Sequence, residues 1–305
     1  MRRAKATRGL RNITIWFACW AASLAILPSA SGADFRKTAD IPFAVVNGLE
    51  LRLDLYLPSG VNRPPLIVYV HGGAWRADSK ESMPLASLVS HGFAVASVDY
   101  RLSPVAQFPA QIHDIKAAIR FLRAKQSDYG YDARAITISG SSAGGHLAGL
   151  VGVTNGNKQL EGELGDYREQ SSDVQAIVDY YGASNFFTIL KQSTPHGIGV
   201  RVPALQLLLG AQPEDTPELA KLASPLFHVD RSDPPLLLLH GDQDPQMPIN
   251  QSHELYGAYK TQNLPVRFEV LHGAGHGGSR FYDEYSTGIV VAFLDEFVRS
   301  GSASH

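Results

Sequence analysis

The stretch Gly140-Ser141-Ser142-Ala143-Gly144 stands between a short apolar run and a segment of small residues. This order predicts a strand, a tight turn and a helix, the setting of a nucleophile elbow in which a serine is held on a strained turn. Such a turn needs residues without Cβ atoms two positions before and after the serine, and Gly140 and Gly144 flank only Ser142 in this way. We therefore predict that Ser142 is the nucleophile and that Ser141 is a spacer.

Continuous apolar runs of five or six residues recur along the chain and predict strands that are buried on both faces. Segments with helical spacing lie between them, the clearest at 112–122. Strands that alternate with helices predict an α/β fold with a mostly parallel central sheet flanked by helices. The predicted strands of this sheet are 66–70, 93–98, 135–139, 176–180, 235–239 and 266–271.

Two further segments complete the predicted domain. Leucines alternate with other residues at 51–57, the period-two pattern of a strand with one buried face, and 43–46 is expected to pair with it in antiparallel fashion. Residues 183–224 separate two predicted sheet strands and are predicted to form a small cap-like insertion. Ligands bind beyond the carboxyl ends of parallel strands, and an insertion at those ends can cover the binding site. No linker rich in Pro, Gly or Ser interrupts the pattern, so 34–305 is predicted to be a single domain.

The N-terminus has the three regions of a secretory signal peptide. Five basic side chains precede an apolar run at 13–27, and small residues follow up to Ala33. We predict a signal peptide at 1–33 and a secreted or periplasmic protein. The apolar run is shorter than the roughly 20 residues of a membrane span, so an uncleaved anchor is the weaker alternative and no stable membrane insertion is expected after cleavage.

Composition narrows the possible functions. The chain has 305 residues, of which 44% are hydrophobic and 18% charged, which is enough for a large core. Removal of 1–33 takes away five basic and no acidic side chains and changes the formal net charge from −2 to −7. A mildly acidic chain without a basic run predicts no nucleic-acid partner. The only cysteine, Cys19, lies in the predicted signal peptide, so a thiol nucleophile or thiolate metal site is excluded in the mature chain.

A serine hydroxyl becomes a useful nucleophile when a base accepts its proton and a carboxylate orients that base. Asp242 and Asp244 follow one predicted strand, and His272 and His276 follow the next. Serine, aspartate and histidine in this chain order, each just beyond a strand, predict a catalytic triad with Ser142. His276 is favoured over His272 because it lies deeper in its glycine-rich loop, whereas the spacing leaves both aspartates open, and either could be only a turn former.

A metal site at the two histidines is disfavoured. A pair at this spacing needs a helix, and the glycines at 273, 275 and 277 oppose one. We predict no metal and no cofactor.

The stretch His71-Gly72-Gly73-Ala74-Trp75 follows the predicted strand 66–70 directly. Acyl transfer creates an oxyanion that needs backbone N–H donors, and each donor contributes roughly 10² to 10³ in rate. We predict that the N–H groups of Gly73 and Ala74, together with that of Ala143, form this oxyanion hole. A plain glycine turn is the alternative, but its coincidence with the elbow argues against it.

From about 42 to 299, the chain resembles the α/β-hydrolase esterases of the acetylxylan and feruloyl esterase-like (BD-FAE-like) group, which are related to the hormone-sensitive lipase family. The resemblance implies an α/β-hydrolase fold and carboxylic ester hydrolysis, and it implies that Asp244, the second aspartate of the His-Gly-Asp-x-Asp pattern, is the acid of the triad. The motifs that carry it are His71-Gly72-Gly73-Ala74-Trp75, Asp99-Tyr100-Arg101-Leu102, Phe108-Pro109-Ala110-Gln111, 140–146, Tyr181-Gly182, Ser224-Pro225, His240-Gly241-Asp242-Gln243-Asp244-Pro245 and Gly275-His276-Gly277.

Two positions depart from the family pattern. Ala74 stands where the family has the third glycine of His-Gly-Gly-Gly-Trp, and Ser141 stands where a glutamate often precedes the nucleophile. An alanine still supplies an N–H group, so we expect an intact oxyanion hole with a slightly narrower acyl side.

These observations predict a secreted serine carboxylic ester hydrolase that acts through an acyl-enzyme on short acyl groups, acetyl or hydroxycinnamoyl, linked to a small molecule or a polysaccharide. An arylformamidase of the kynurenine formamidase type is one alternative, because it shares the His-Gly-Gly-x-Trp loop, although the export signal argues against an intracellular substrate. A hydrolase-fold protein that binds without turnover is the other, and the presence of all three triad residues argues against it. The oligomeric state stays open.

Overall fold

An eight-stranded sheet runs through the computed structural model, which describes residues 35–299 together with Met1. The signal peptide predicted at 1–33 lies outside the described residues apart from Met1. In chain order the strands are β1 (Phe35–Val46), β2 (Leu49–Pro58), β3 (Pro65–Val70), β4 (Ala94–Val98), β5 (Asp132–Ser141), β6 (Ala176–Tyr180), β7 (Leu236–Gly241) and β8 (Val266–Leu271).

The strands lie side by side in the order β1-β2-β4-β3-β5-β6-β7-β8. The pairs β1–β2 and β2–β4 are antiparallel, and all the other neighbours are parallel. The predicted α/β fold with a mostly parallel sheet is therefore confirmed. The predicted edge strand at 43–46 was too short, because β1 begins at Phe35 and its first half is mostly exposed, so it carries no hydrophobic pattern that marks it in the sequence.

Helices cover the sheet. The two longest, of 15 residues each, lie at Ala110–Ala124 and Pro195–Leu209. In chain order the helices are α1 (Ala86–Ser90), α2 (Ala110–Ala124), α3 (Gln126–Tyr129), α4 (Ala143–Gly152), α5 (Lys158–Glu161), α6 (Ile189–Gln192), α7 (Pro195–Leu209), α8 (Pro217–Leu222), α9 (Asn250–Gln262) and α10 (Glu284–Leu294). Short 3₁₀ turns lie at Pro225–Phe227 and Ser279–Phe281, and a π-helical turn lies at Asp295–Arg299.

The central strand β3 shows why the apolar runs are continuous. Leu66 and Val68 pack into one core cluster, which also holds side chains of α2 and α4, whereas Ile67 and Tyr69 pack into a second cluster with α1 and α10. Both faces of the sheet are thus covered by helices, so successive residues are all apolar. Each fully buried large aliphatic side chain stabilises the fold by roughly 1.5–3 kcal/mol.

The helix α2 buries more than its apolar stripe. Ile112, Ile115 and Ile119 are fully buried, as the spacing predicts. Lys116 and Arg120 are also buried, because they lie under the segment that follows α4: the Lys116 ammonium donates to the Thr154 carbonyl at 2.8 Å, and Arg120 donates to a carbonyl and a carboxylate of the same segment. Burial of these two cations is tolerated because each has hydrogen-bond partners.

The turn at 140–144, called the elbow below, packs directly against the end of β3. A Cβ atom on Gly140 would lie 2.2 Å from the Gly144 carbonyl oxygen, and one on Gly144 would lie 2.0 Å from the Val70 carbonyl oxygen. Both distances are far shorter than a van der Waals contact, so a Cβ atom at either position would clash with the backbone. Glycine at both positions therefore allows α4 to begin directly against the sheet.

The described residues 35–299 belong to one compact unit. Residues 183–224, the cap segment, hold the helices α6, α7 and α8. The assignment of these boundaries to a single domain with a cap stays a prediction. Among the described residues, no helix combines the length and the apolar character needed to cross a membrane.

The contact at Gly144 predicts a large loss of stability on substitution. Gly144→Ala should lower the free energy of unfolding by about 3 kcal/mol or more, because the added methyl group meets backbone that cannot move aside. Gly257→Ala is the matched control: it lies in α9 with nothing within 4 Å of its added Cβ, and should stabilise by about 0.5–1 kcal/mol. Urea denaturation measures both, and equal midpoints for the two variants would contradict the packing described here.

Candidate active site

Ser142 lies at the tip of the elbow, between β5 and α4. Its φ of 56° and ψ of −116° are unusual for a residue with a side chain, and such a conformation costs about 1–3 kcal/mol. Two backbone hydrogen bonds hold it: the Ser142 N–H donates to the Tyr180 carbonyl at 2.9 Å, and the Ser142 carbonyl accepts from the His146 N–H at 3.0 Å. The strain is thus fixed by neighbouring backbone on both sides.

The structure brings three of the predicted site residues together. His276 Nε2 lies 2.9 Å from Ser142 Oγ, and His276 Nδ1 lies 2.7 Å from Asp244 Oδ2. Asp244 follows β7 and His276 follows β8, and the carboxyl ends of these parallel neighbours meet at the edge of the sheet where β5 also ends. The arrangement has the contacts expected of a nucleophile, a base and a group that orients the base.

The environment of Asp244 keeps its carboxyl group ionised. The side chain is fully buried, and its Oδ1 accepts from the N–H groups of Gln246 and Met247, both at 2.8 Å. Burial raises the pKa of this carboxyl, but the opposing hydrogen bonds from His240 and His276 outweigh it and hold the pKa well below its usual range. Since the carboxylate only accepts, His276 Nδ1 carries a proton and Nε2 is free to accept the Ser142 hydroxyl proton.

A second aspartate–histidine pair forms beside the first but points away from the serine. His272 Nδ1 lies 2.8 Å from Asp242 Oδ2. The His272 side chain is 84% exposed, against 16% for His276. The sequence left both aspartates open on spacing alone, and only Asp244 and His276 reach Ser142.

The loop 71–75, called the oxyanion loop below, presents N–H groups without acceptors. Gly73, Ala74 and Trp75 all have left-handed backbones, with φ values of 83°, 52° and 59°. A Cβ atom on Gly73 would lie 2.1 Å from the Ala77 carbonyl oxygen, so only glycine fits there. Within residues 35–299, the N–H groups of Gly73, Ala74 and Ala143 donate no hydrogen bond. The three predicted oxyanion donors are therefore available, while their catalytic role stays a prediction.

Tyr100 and His146 hold the oxyanion loop in place, a role that sequence reasoning missed. The Tyr100 hydroxyl lies within 3.2 Å of the His71 and Gly72 carbonyl oxygens, and its ring stacks on His71 at 4.4 Å. Trp75 Nε1 donates to His146 Nδ1 at 3.1 Å, so the proton of His146 is on Nε2, which donates to the Ala223 carbonyl at 2.6 Å. Both residues lie within motifs seen in the sequence, but only their contacts reveal what they do.

A cavity of about 550 Å³ opens onto Ser142 and His276, and Gly73 and Ala74 lie in its wall. Hydroxyl groups form another part of the wall, so polar and apolar surfaces both line the cavity. Tyr69 Oη lies 2.9 Å from Ser141 Oγ, and Tyr181 Oη lies 3.2 Å from Tyr282 Oη. Burial raises the pKa of each of these three tyrosines, so their hydroxyls stay protonated at neutral pH.

The comparison with known proteins follows the same residues. The model of the BD-FAE family matches residues 53–259, which is most of the described chain and reaches from β2 to α9. The chain belongs to the BD-FAE family. The resemblance identified from the motifs is thereby confirmed.

Relatives of this BD-FAE member are esterases by name. Esterase LipQ of Mycobacterium tuberculosis is 34% identical over 262 residues, which cover 82% of this chain and 60% of LipQ. A truncated carbohydrate esterase from gut microbiota has 32% sequence identity and a TM-score of 0.79, with 87% of this chain and 98% of that chain covered. A bifunctional GH43-CE protein of Bacteroides eggerthii has 32% sequence identity and a TM-score of 0.77. The match covers 87% of this chain and 35% of the Bacteroides chain.

The chain spans about 60% of the length of LipQ, so LipQ has sequence that this chain does not match. The match to the gut carbohydrate esterase covers nearly all of that chain. The BD-FAE member described here therefore shares the α/β-hydrolase fold of these esterases.

Two buried histidines beside the site predict a pH-dependent stability. Burial lowers the pKa of His71 and of His146 to about 4. In the unfolded chain these groups titrate near 6.5, so the stabilisation they give is fully present above pH 6.5 and is lost as the pH falls towards 4. Asp179 and Asp233, whose pKa values burial raises to about 7, act in the opposite direction. The test therefore compares a variant with the wild type at each pH.

His146→Gln should destabilise the protein at pH 7, and the loss should be smaller at pH 4.5 by about 2 kcal/mol, because the variant removes the group that must charge on unfolding. Urea denaturation at pH 7.0, 5.5 and 4.5 measures this difference. Leu205→Ala, at a fully buried side chain that carries no titratable group, is the control and should give about the same loss at every pH. A His146→Gln loss that does not change with pH would contradict the assignment.

Proposed function

We propose that this protein is a serine carboxylic ester hydrolase that acts through an acyl-enzyme on Ser142. The observation that carries the proposal is the hydrogen-bonded chain from Ser142 Oγ through His276 to Asp244, with distances of 2.9 and 2.7 Å. Membership of the BD-FAE family and the esterase relatives support it. The oxyanion loop beside this chain supplies the other element that acyl transfer needs.

In the first step, Ser142 Oγ attacks the ester carbonyl carbon while its proton moves to His276 Nε2. The imidazolium then gives this proton to the leaving alcohol, and the acyl group stays on the serine. Asp244 keeps the proton of His276 on Nδ1 and stabilises the positive ring. Because Asp244 is fully buried and ionised, it acts throughout as a fixed negative charge.

The N–H groups of Gly73, Ala74 and Ala143 bind the oxyanion that forms in this step. In the second step, His276 takes a proton from water, the resulting hydroxide attacks the acyl-enzyme carbonyl, and the carboxylic acid leaves as Ser142 regains its proton. The backbone is left-handed at Gly73 and Ala74, and the consecutive N–H groups of these residues donate no hydrogen bond within the described structure. They are therefore available to bind the oxyanion.

The acyl group is short in this proposal, either acetyl or hydroxycinnamoyl. The methyl group of Ala74 narrows the wall next to the nucleophile, and the cavity holds about 550 Å³. The hydroxyl-lined wall suits a polar alcohol, from a small molecule or a polysaccharide, and the gut relative is named a carbohydrate esterase. Secretion or periplasmic location belongs to the same proposal and rests on the sequence of 1–33 alone.

The two aspartate–histidine pairs allow a matched test of the triad. Ser142→Ala should abolish turnover, and Asp244→Asn should lower kcat by about 10³- to 10⁴-fold, because the histidine then adopts the wrong tautomer. Asp242→Asn and His272→Gln change the neighbouring pair and should stay within twofold of the wild type. Initial rates on p-nitrophenyl acetate, butyrate and octanoate and on methyl ferulate measure these effects and the acyl preference.

A Ser142→Ala protein that keeps more than half of the activity would move the nucleophile elsewhere. Loss of activity in Asp242→Asn but not in Asp244→Asn would exchange the roles of the two pairs. If the folded wild type hydrolyses none of these esters, N-formylkynurenine separates the formamidase alternative from a protein that binds without turnover.

A further inference from the structure

Arg76 lies in the wall of the cavity that holds Ser142 and His276. Arg76 follows the oxyanion loop directly, and its N–H donates to the Gly73 carbonyl at 3.1 Å, so its backbone is fixed relative to that loop. Within the described part of the chain, its side chain makes no ion pair and no hydrogen bond. A half-buried arginine in the wall of a cavity can offer its guanidinium donors to a planar anion.

A second arginine, which has no hydrogen-bond partner for its guanidinium among the described residues, lies behind the same loop. Arg201, on α7 of the cap segment, is fully buried, and its Nε, Nη1 and Nη2 atoms have no hydrogen-bond partner among the described residues. Its Cζ lies 5.8 Å from the centre of the Trp75 ring, which is enough for a cation–π contact. A buried cation with so little compensation is costly, and such groups call for a functional explanation.

The two arginines act on the same region. Burial lowers the pKa of Arg201 to about 10. The negative charge of Asp244 acts to raise this pKa, and the positive charge of Arg76 acts to lower it further. Arg201 therefore stays charged at neutral pH and lies within electrostatic range of Arg76. At the position of an anion bound to Arg76, the charge of Arg201 adds to the attraction, and the ionised Asp244 offsets part of it.

Asp244 offsets part of this charge, but no carboxylate among the described residues pairs with the Arg76 guanidinium. Asp78 is the one carboxylate in the wall of the cavity among the described residues, and it makes no ion pair with Arg76. Its Oδ1 accepts instead from the Ser79 N–H at 2.9 Å and from the Ser82 hydroxyl. Asp244 Oδ2 accepts a hydrogen bond from His276 Nδ1, and Asp244 Oδ1 accepts hydrogen bonds from two backbone N–H groups.

We propose that the substrate carries a carboxylate close to its scissile ester, and that Arg76 binds this carboxylate in the cavity. Arg201 does not touch the ligand; its buried charge strengthens the positive potential from behind Trp75. The proposal deepens the proposed function and rests on it, because it names the substrate class of the same site: esters of an acidic alcohol or half-esters of a dicarboxylic acid. The planar fork of the guanidinium matches a carboxylate with two hydrogen bonds.

Two pairs of esters that differ only in charge test the proposal. In the alcohol half, 4-acetoxybenzoate is compared with 4-acetoxybenzamide. In the acyl half, monomethyl terephthalate is compared with methyl 4-carbamoylbenzoate. We expect kcat/KM of the charged ester to exceed that of its neutral partner at least tenfold in one of the pairs, mostly through a lower KM.

Arg76→Gln should remove this preference, bringing the ratio of the two kcat/KM values to within twofold of one, whereas Arg76→Lys should keep part of it. Arg201→Met should lower the ratio severalfold without abolishing it. Arg231→Gln is the matched control: Arg231 is an exposed arginine without an ion pair that precedes β7, at the opposite end of this strand from Asp244, and its loss should leave both rates unchanged.

Turnover that depends on Ser142 but shows no charge preference in either pair would overturn this proposal and leave the esterase function intact. A preference that survives in Arg76→Gln would also overturn it, because recognition would then lie elsewhere. Absence of Ser142-dependent turnover on all four esters and on p-nitrophenyl acetate would refute the esterase function, and this proposal with it.

Discussion

The close contact between the elbow and the end of β3 is the constraint on which the site depends. With no Cβ at Gly144, the first turn of α4 lies against the carbonyl of Val70, one residue before the oxyanion loop begins. The same contact therefore brings Ser142, the proposed nucleophile, and the predicted oxyanion donors next to each other. Because β7 and β8 are parallel neighbours, Asp244 and His276, which follow them, lie at the same edge of the sheet.

The parts of this arrangement that follow local rules could be predicted from the sequence. The glycines around Ser142 and the apolar runs of the strands are dictated by contacts within a few residues or by burial on both faces. The choice between Asp242 and Asp244 could not be made on spacing, because each aspartate finds a histidine at nearly the same distance, 2.8 and 2.7 Å. Only their position relative to Ser142, set by the packing of distant strands, separates the two pairs.

The buried charged side chains could not be predicted from the sequence either, because their burial also depends on the packing of distant segments. Lys116 and Arg120 are spaced like residues of a solvent-facing stripe, but a later segment of the chain covers them and accepts their hydrogen bonds. Arg201 lies in a helix of the cap segment whose apolar pattern gives no sign of a buried cation. The position of such groups depends on which segments return to cover them, and a pattern of nearby residues contains no information on this.

Trp75 allows the region behind the oxyanion loop to be followed by intrinsic fluorescence. The other two tryptophans of the sequence, at positions 16 and 20, lie in the predicted signal peptide, so Trp75 is the only tryptophan among residues 34–305. That indole is fully buried, donates to His146 and lies against the guanidinium of Arg201. Its intrinsic fluorescence thus comes from one known place, directly behind the oxyanion loop, and a movement of that loop or of the cap segment changes the emission without any added label.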